Sequence, residues 1–421
     1  MKISVLGLGY VGIVSASCLA KMGHDIIGVD NDKTKIQKIN EGIAIIFEEN
    51  LQEITQQAVN SGKLRATSDV TEAVQKTDIS IVCVGTPSLE NGDIDLTQIK
   101  NICTEIGNAI AEKNSFHIVV IRSTIIPKTM QEIVIPLLEK HSNKKAEVDF
   151  GVCNNPEFLR EGSAVYDFFN PPKTVIGATD KKSAEIIASL YEEIPAPIIF
   201  ADIEVVEMLK YADNSWHATK VVFANEIGRL CKAMNIDSHE VMDIFCKDIK
   251  LNISSAYLKP AFAFGGSCLP KDLKAVTFKS KELALETQLF DSLNLSNNEQ
   301  IKLAFNMIIN THKKNIGFLG LSFKAGTDDL RASPIIKIID DLLALNYNIS
   351  AFDKNIKNTN IGYVKQDIKD VITNSEVIVI ANNTKEFKNI LEIITPNQLI
   401  IDLVRIKEIE KNHANYQGIC W

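Results

Sequence analysis

Short apolar runs that stop at small polar residues recur along this chain, most of them followed by a stretch with helical spacing. KISVL opens the series and runs into glycines. An amphipathic helix continues to about Met22, and HDIIGVD forms a second strand ending in Asp30. The runs DISIVCVGTPS (78–88), SFHIVVIRSTIIP (115–127) and VDFGVCNNPEFLREGSA (148–164) repeat the pattern, stopping at Thr86-Pro87, Ser123-Thr124 and Asn-Pro-Glu. Strands alternating with helices predict a parallel sheet. Its strand ends share one edge, and that is the edge where open α/β sheets bind ligands. Thr86, Thr124 and Glu161 are therefore candidates for one cleft.

From Ile203 to about Ala233 the chain has no proline and a single glycine, Gly228, with apolar residues at Val206, Leu209, Val221, Ala224 and Ile227. That predicts one long helix. Lys210, Asn214 and His217 fall at i, i+4 and i+7, and Asn225 lies within about 60° of Lys210 at 100° per residue. Asn and His outnumber Glu and Lys along this stripe, which Tyr211 and Trp216 flank, so it suits a polar ligand better than bulk solvent. After a helical stretch to about Ile309, new strands open at 313–334, 347–355, 375–383 and 398–405. The expected fold is α/β: two doubly wound Rossmann-like domains joined by a long central helix and a small helical region, divided at 1–202, 203–300 and 301–421.

Chemistry enters with the glycines. Gly7, Gly9 and Gly12 stand in GxGxxG spacing between a strand and a helix, with Asp30 closing the next strand, which is the context a dinucleotide fingerprint requires. Gly7 permits the tight turn, Gly9 the approach of a pyrophosphate to the helix N-terminus, and Gly12 close helix–strand packing. Asp30 would accept from the adenosine ribose hydroxyls and repel a 2′-phosphate, favouring NAD over NADP. The second α/β unit lacks a full GxGxxG, so no second dinucleotide is inferred there. Its SFKAGTDDLR does place Lys324 and Arg331 at a strand's carboxyl end, where phosphates bind.

Composition narrows the class. The 421 residues are 45% hydrophobic and 23% charged, with a formal net charge of -8. That balance argues against a nucleic-acid binder. No segment reaches the 18 or so uninterrupted apolar residues of a membrane span. Eight cysteines include no CxxC pair, as in a cytoplasmic protein with reduced thiols. No metal site is expected. One cysteine, Cys268 in FAFGGSCLPKD (262–272), stands among glycines with a lysine and an aspartate beyond it. A neighbouring cation favours thiolate, so Cys268 is a candidate nucleophile.

In order along the chain, GLGYVG, VGTPS, RSTIIP, NPEFLREGSA, KYADNSW, FGGSCLPKD and GLSFKAGTDDLRASP resemble the motifs of the nucleotide-sugar 6-dehydrogenase family. NSWHATKVVFANEIG, NPPKTVIG, KPAFAFGGSCLPKD and the terminal GICW are similar to the branch that oxidises GDP-mannose. UDP-glucose or a UDP-N-acetylhexosamine is the alternative substrate, and His217 and the 256–262 loop are the positions that separate them. The family pattern carries a tyrosine where Ala256 stands and an arginine where Lys259 stands. Lysine keeps the charge and loses the bidentate fork.

The resemblance implies oxidation of a C6 alcohol to a carboxylate with two NAD+. Water held by Asp272 and Lys210 takes the hydroxyl proton, and Cys268 captures the aldehyde as a thiohemiacetal that becomes a thioester. Lys210 and Asn214 stabilise the oxyanion, while Glu161 with Thr124 positions the hydrolytic water. Implied cofactor contacts are Tyr10, Val11, Asp30, Lys35, Thr86, Thr124, Lys271 and Arg331. Implied sugar-nucleotide contacts are Glu161, Lys210, Asn214, His217, Asn225, Tyr257, Lys259, Phe262, Gly265 and Lys324. The resemblance also implies end domains that close on a cleft and a homodimer, with higher assemblies open, formed through the central helices. A silent NAD-binding regulator would be expected to have lost some of these residues. A simple hydroxyacid dehydrogenase would leave Cys268 and the second α/β unit without a role.

Overall fold

In a computed structural model the chain forms two compact units, Met1–His217 and Ala218–Trp421. The structure describes residues 1–91, 93–254, 257, 260–266, 269–323, 325, 327, 329–356 and 361–421, with the side chains at 221, 271, 272 and 275 outside the description.

The N-terminal unit is built on an eight-stranded sheet of order β3-β2-β1-β4-β5-β6-β7-β8. Its strands are β1 (Lys2–Leu6), β2 (Asp25–Val29), β3 (Leu64–Thr67), β4 (Ile79–Val82), β5 (Ile118–Ile121), β6 (Gly151–Asn154), β7 (Thr174–Ala178) and β8 (Ile198–Ala201). The central strands are apolar on both faces because helices cover both; β4, β5 and β6 are buried at every position. Neighbours pair in parallel except β6 and β7. The sequence pattern predicts parallel strands only, and the exception has a geometric cause. The helix between them, Ala164–Phe169, has six residues, about 9 Å of rise. It is too short to carry the chain back along the sheet, so β7 returns antiparallel.

The C-terminal unit carries a five-stranded parallel sheet, order β10-β9-β11-β12-β13. Its strands are β9 (Asn315–Leu319), β10 (Asn348–Phe352), β11 (Val377–Ile380), β12 (Leu399–Asp402) and β13 (Tyr416–Gly418). The long helix runs from Ile203 to Ala233 as the spacing predicts. Helices Ser238–Phe245, Leu269–Glu282 and Gln288–Ile309 follow. Among the described residues no helix is long and apolar enough to cross a membrane.

Candidate active site

The glycine turn after β1 is fixed by sterics. Gly7 has φ 91°, and a Cβ there would stand 2.9 Å from the Val84 nitrogen. Gly12 lies in the first turns of helix Tyr10–Lys21, where a Cβ would meet the Gly7 carbonyl oxygen at 1.8 Å. Only glycine lets helix and turn touch. Gly9, at the N-cap, has nothing within 4 Å of the place its side chain would occupy, and the first turn of the helix holds no acidic residue. Open space in front of unpaired N–H groups fits a diphosphate. Asp30, at the tip of β2, accepts the Leu8 N–H at 2.9 Å and the Asp32 N–H at 3.0 Å, with Lys35 Nζ 3.5 Å away. Its carboxylate is thereby held where a ribose would arrive, so these residues fit NAD.

The strand ends converge as expected. Thr86 donates its hydroxyl to the Thr124 carbonyl at 2.8 Å, and Ser123 donates to the Val84 carbonyl at 2.6 Å, locking the loops after β4 and β5 together. Tyr10 donates to Glu48, a buried carboxylate that also accepts from the N–H groups of Gly162 and, at 3.0 Å, Ala164. The loop after β6 is thus tied to the glycine-rich helix. Sequence reasoning missed Glu48, which lies in no motif.

Within that loop the carboxylate facing Lys210 is Glu157. Lys210 Nζ stands 3.0 Å from Glu157 Oε1 and donates to the Glu157 carbonyl at 2.7 Å. Both side chains are largely buried, at 10% and 12% exposure. Glu161, the acid singled out from the sequence, is exposed. NPEFLREG offers two acids four residues apart, and spacing alone does not say which turns inward. Phe158 lies between two cations, 5.5 Å from Lys210 and 4.9 Å from Lys173, and Lys173 pairs with Asp213 at 2.9 Å. Of the polar stripe only Lys210 is buried; Asn214, His217 and Asn225 are exposed. Val11 packs half-buried against the core beneath the glycine turn. Burial pushes the thiols of Cys18, Cys83 and Cys103 up to about 12 and that of Cys153 up further, so these four stay protonated.

In the C-terminal unit, Tyr257 is exposed at φ 63°, and Phe262 packs on the core while its N–H donates to the Leu403 carbonyl at 3.1 Å. A Cβ on Gly265 would stand 2.5 Å from the Ala332 carbonyl oxygen. Arg331 forms a two-pronged bond with Asp329, at 2.9 and 2.8 Å, which holds that carboxyl down at about 2. Cys268, Lys259 and Lys324 lie outside the described residues. Lys271 and Asp272 fall on helix Leu269–Glu282 with their side chains outside the description.

Volume alone would point elsewhere. A groove of about 520 Å3 opens at the opposite edge of the first sheet, lined by residues such as Lys2, Asp25, Arg65 and Lys76. Its charges are mostly spent on each other and their neighbours, as in Lys63–Asp25 and Arg65–Glu72. The glycine turn and the Lys210–Glu157 pair lie instead at the carboxyl edge, where this topology binds ligands.

Three family models match in succession: the NAD binding domain (residues 1–195), the central domain (204–299) and the UDP binding domain (317–408) of the UDP-glucose/GDP-mannose dehydrogenase family. The chain belongs to this family. The GDP-mannose 6-dehydrogenase of Pseudomonas savastanoi pv. phaseolicola is 46% identical over the whole of both chains. A crystal structure of GDP-mannose dehydrogenase from Pseudomonas aeruginosa, 45% identical, superposes with a TM-score of 0.97 and full coverage of both chains. A UDP-glucose dehydrogenase from Pyrobaculum islandicum, 30% identical, gives 0.58 while covering 100% of this chain and 97% of its own. Family membership makes residues 1–195 an NAD-binding domain, in agreement with the glycine turn and Asp30.

Proposed function

We propose that this chain is an NAD-dependent dehydrogenase that oxidises the C6 hydroxyl of GDP-mannose to a carboxylate. The observation that carries the reading is the full-length match to a GDP-mannose dehydrogenase at a TM-score of 0.97, against 0.58 for a UDP-glucose enzyme. The overall change consumes one alcohol, two NAD+ and one water. It yields one carboxylate, two NADH and three protons.

NAD+ held at the glycine turn and Asp30 would supply the hydride acceptor for each oxidation. Lys210 assists loss of the hydroxyl proton through a water shared with Asp272, and with Asn214 it stabilises the oxyanion. Cys268 bonds the aldehyde carbon and carries the acyl group as a thioester until water releases it. Glu157, which Lys210 contacts, takes the water-activating role assigned from the motif to Glu161, because a base must be oriented as well as present. Division of labour follows 1–202 for NAD, 203–300 for the nucleophile loop and assembly, and 301–421 for the nucleotide. A homodimer on the central helices is supported by Val222, Met234, Ile236, Val241 and Ile244, which expose apolar side chains between 218 and 245. A cytoplasmic location agrees with the reduced-thiol pattern.

The test is NADH released per sugar, with purified protein, excess NAD+ and limiting nucleotide sugar. Two NADH per GDP-mannose and none from UDP-glucose is the expected result. Turnover of UDP-glucose alone would overturn the substrate, and one NADH per sugar would overturn the thioester route.

A further inference from the structure

Arg122 follows β5 and is buried at 6% exposure. Its Nη1 donates to Asn155 Oδ1 at 2.8 Å, to the Tyr191 hydroxyl oxygen at 3.1 Å and to the Asn155 carbonyl at 3.5 Å. All three acceptors are neutral. Its Nε–H is buried and has no hydrogen-bond partner among the described residues. A buried cation without a counter-charge is costly, and so is a buried donor without an acceptor.

The surroundings suggest where compensation comes from. A chamber of about 30 Å3 lies against Arg122, lined also by Asn155, Glu157, Asp167, Lys173 and Tyr191. That volume holds about one water, which needs two to four polar partners. Two carboxylates line the chamber. Asp167 is engaged by Arg160 through bonds of 3.0 and 2.7 Å, and Lys173 by Asp213. Glu157 is ion-paired with Lys210, and its Oε2 accepts the Leu159 N–H at 2.6 Å, which leaves it further lone pairs for a water. The backbone is fixed for the purpose: Asn155, two residues before Glu157, takes the Ile121 carbonyl on its N–H and the Val175 carbonyl on Nδ2, both at 2.9 Å.

We propose that Arg122 is the positioning residue of Glu157: a water seated in the chamber joins the Arg122 Nε–H to the Glu157 carboxylate, and that bridge holds the carboxylate turned toward Lys210. This rests on the reading of Glu157 as the base that activates the hydrolytic water. The groups facing Glu157 are Lys210 from the long helix, Arg122 from the end of β5, Cys83 from the end of β4, and Tyr191, Lys173 and Asp167 around the chamber. Burial keeps Cys83 and Tyr191 protonated, and Lys173 and Asp167 are paired. The unbalanced charges on Glu157 are thus the two cations Lys210 and Arg122. Loss of Arg122 frees the carboxylate from that orientation, so the water it activates is less well placed and hydrolysis slows.

The test follows formation and hydrolysis of the enzyme–sugar adduct by rapid quench and intact mass, using the full-length enzyme with GDP-mannose and NAD+ at neutral pH. In R122M, adduct hydrolysis should slow about tenfold while adduct formation keeps its wild-type rate. R122Q, which keeps hydrogen bonds to the cluster but not the charge, should behave likewise, and R122K, which keeps the charge, should restore much of the rate. R122M/E157Q should hydrolyse no more slowly than E157Q, because Arg122 acts through Glu157. Unslowed hydrolysis in R122M or R122Q, equal slowing in R122K, slowed adduct formation, or additive slowing in the double variant would overturn the proposal. Wild-type hydrolysis by E157Q would instead remove the underlying reading of Glu157.

Discussion

Two strands in this molecule end in the same construction. β1 runs into Gly7 at φ 91°, and the next N–H, of Leu8, donates to Asp30 at the tip of β2 at 2.9 Å. β9 runs into Gly320 at φ 96°, and the next N–H, of Leu321, donates to Asp353 at the tip of β10, also at 2.9 Å. Leu8 and Leu321 are both fully buried. Each glycine lies against the end of the neighbouring strand, Gly7 at Val84 and Gly320 at Asn382. The two turns then diverge. After Gly7 a helix begins at Tyr10, so its N–H groups face the open space at Gly9. After Gly320 the helix begins only at Pro334. Asp353 accepts from the N–H groups of Leu321 and Ser322 and from the Ser322 hydroxyl. One carboxylate stands beside an open helix start, and the other latches its own loop. A shared strand–glycine–acid frame does not make a dinucleotide site; the immediate helix start does.

The comparison can be broken first at the glycines. Gly7→Ala and Gly320→Ala should each cost about 1–2 kcal/mol for the left-handed backbone alone, with the close contacts adding to that. Thermal unfolding reads the common loss. NAD titration separates the two: affinity should fall at least tenfold in G7A and stay at the wild-type value in G320A, and equal losses of affinity would end the distinction. The acids sharpen it. Asp353→Ala removes the acceptor of four donors, the N–H groups of Leu321, Ser322 and Asn355 and the Ser322 hydroxyl, and should destabilise by about 1–3 kcal/mol with NAD affinity unchanged. Asp30→Ala should weaken NAD several-fold and narrow the preference over NADP.

The smallest effect is acid sensitivity, and it belongs to the N-terminal unit. His117 is buried among Ser80, Lys113 and the Thr77 carbonyl, with burial and then Lys113 pushing its imidazole down to about 3. The unfolded chain binds a proton there near pH 6.5 and the folded one does not. Stability from this group is therefore present above about pH 6.5 and lost as pH falls toward 3. Among the described residues the C-terminal unit has no fully buried imidazole. Acid unfolding followed by Trp216 and Trp421 fluorescence should begin in the N-terminal unit, and His117→Gln should flatten the slope across that window.

Much of this was legible in the chain. Nine strands coincide with apolar runs read from the pattern, because a buried strand must be apolar and must stop where the chain turns. β3, β7, β8 and β13 were not read. β3, β8 and β13 lie at sheet edges, where one side needs no burial, and β7 (TVIGA) is a brief apolar run. Thr86 and Thr124 adjoin because both simply follow adjacent strands. Glu157 and Glu161 were not separated, and Arg122, Glu48 and Asn155 drew no notice, because contacts across 33 or 114 residues leave no local period.

What the sequence determined by itself was therefore the local grammar: strand and helix periods, the glycines that a left-handed turn and a helix–strand contact demand, and the motifs that resemble one enzyme family. What the tertiary structure alone decided was direction. It turned Glu157 inward and left Glu161 outside, ran β7 against its neighbours, buried Arg122 beside a water-sized chamber, and set two like carboxylates to unlike work. Periodicity is a property of neighbours along the chain, whereas the charge, burial and partners of a side chain are set by residues that only folding brings near.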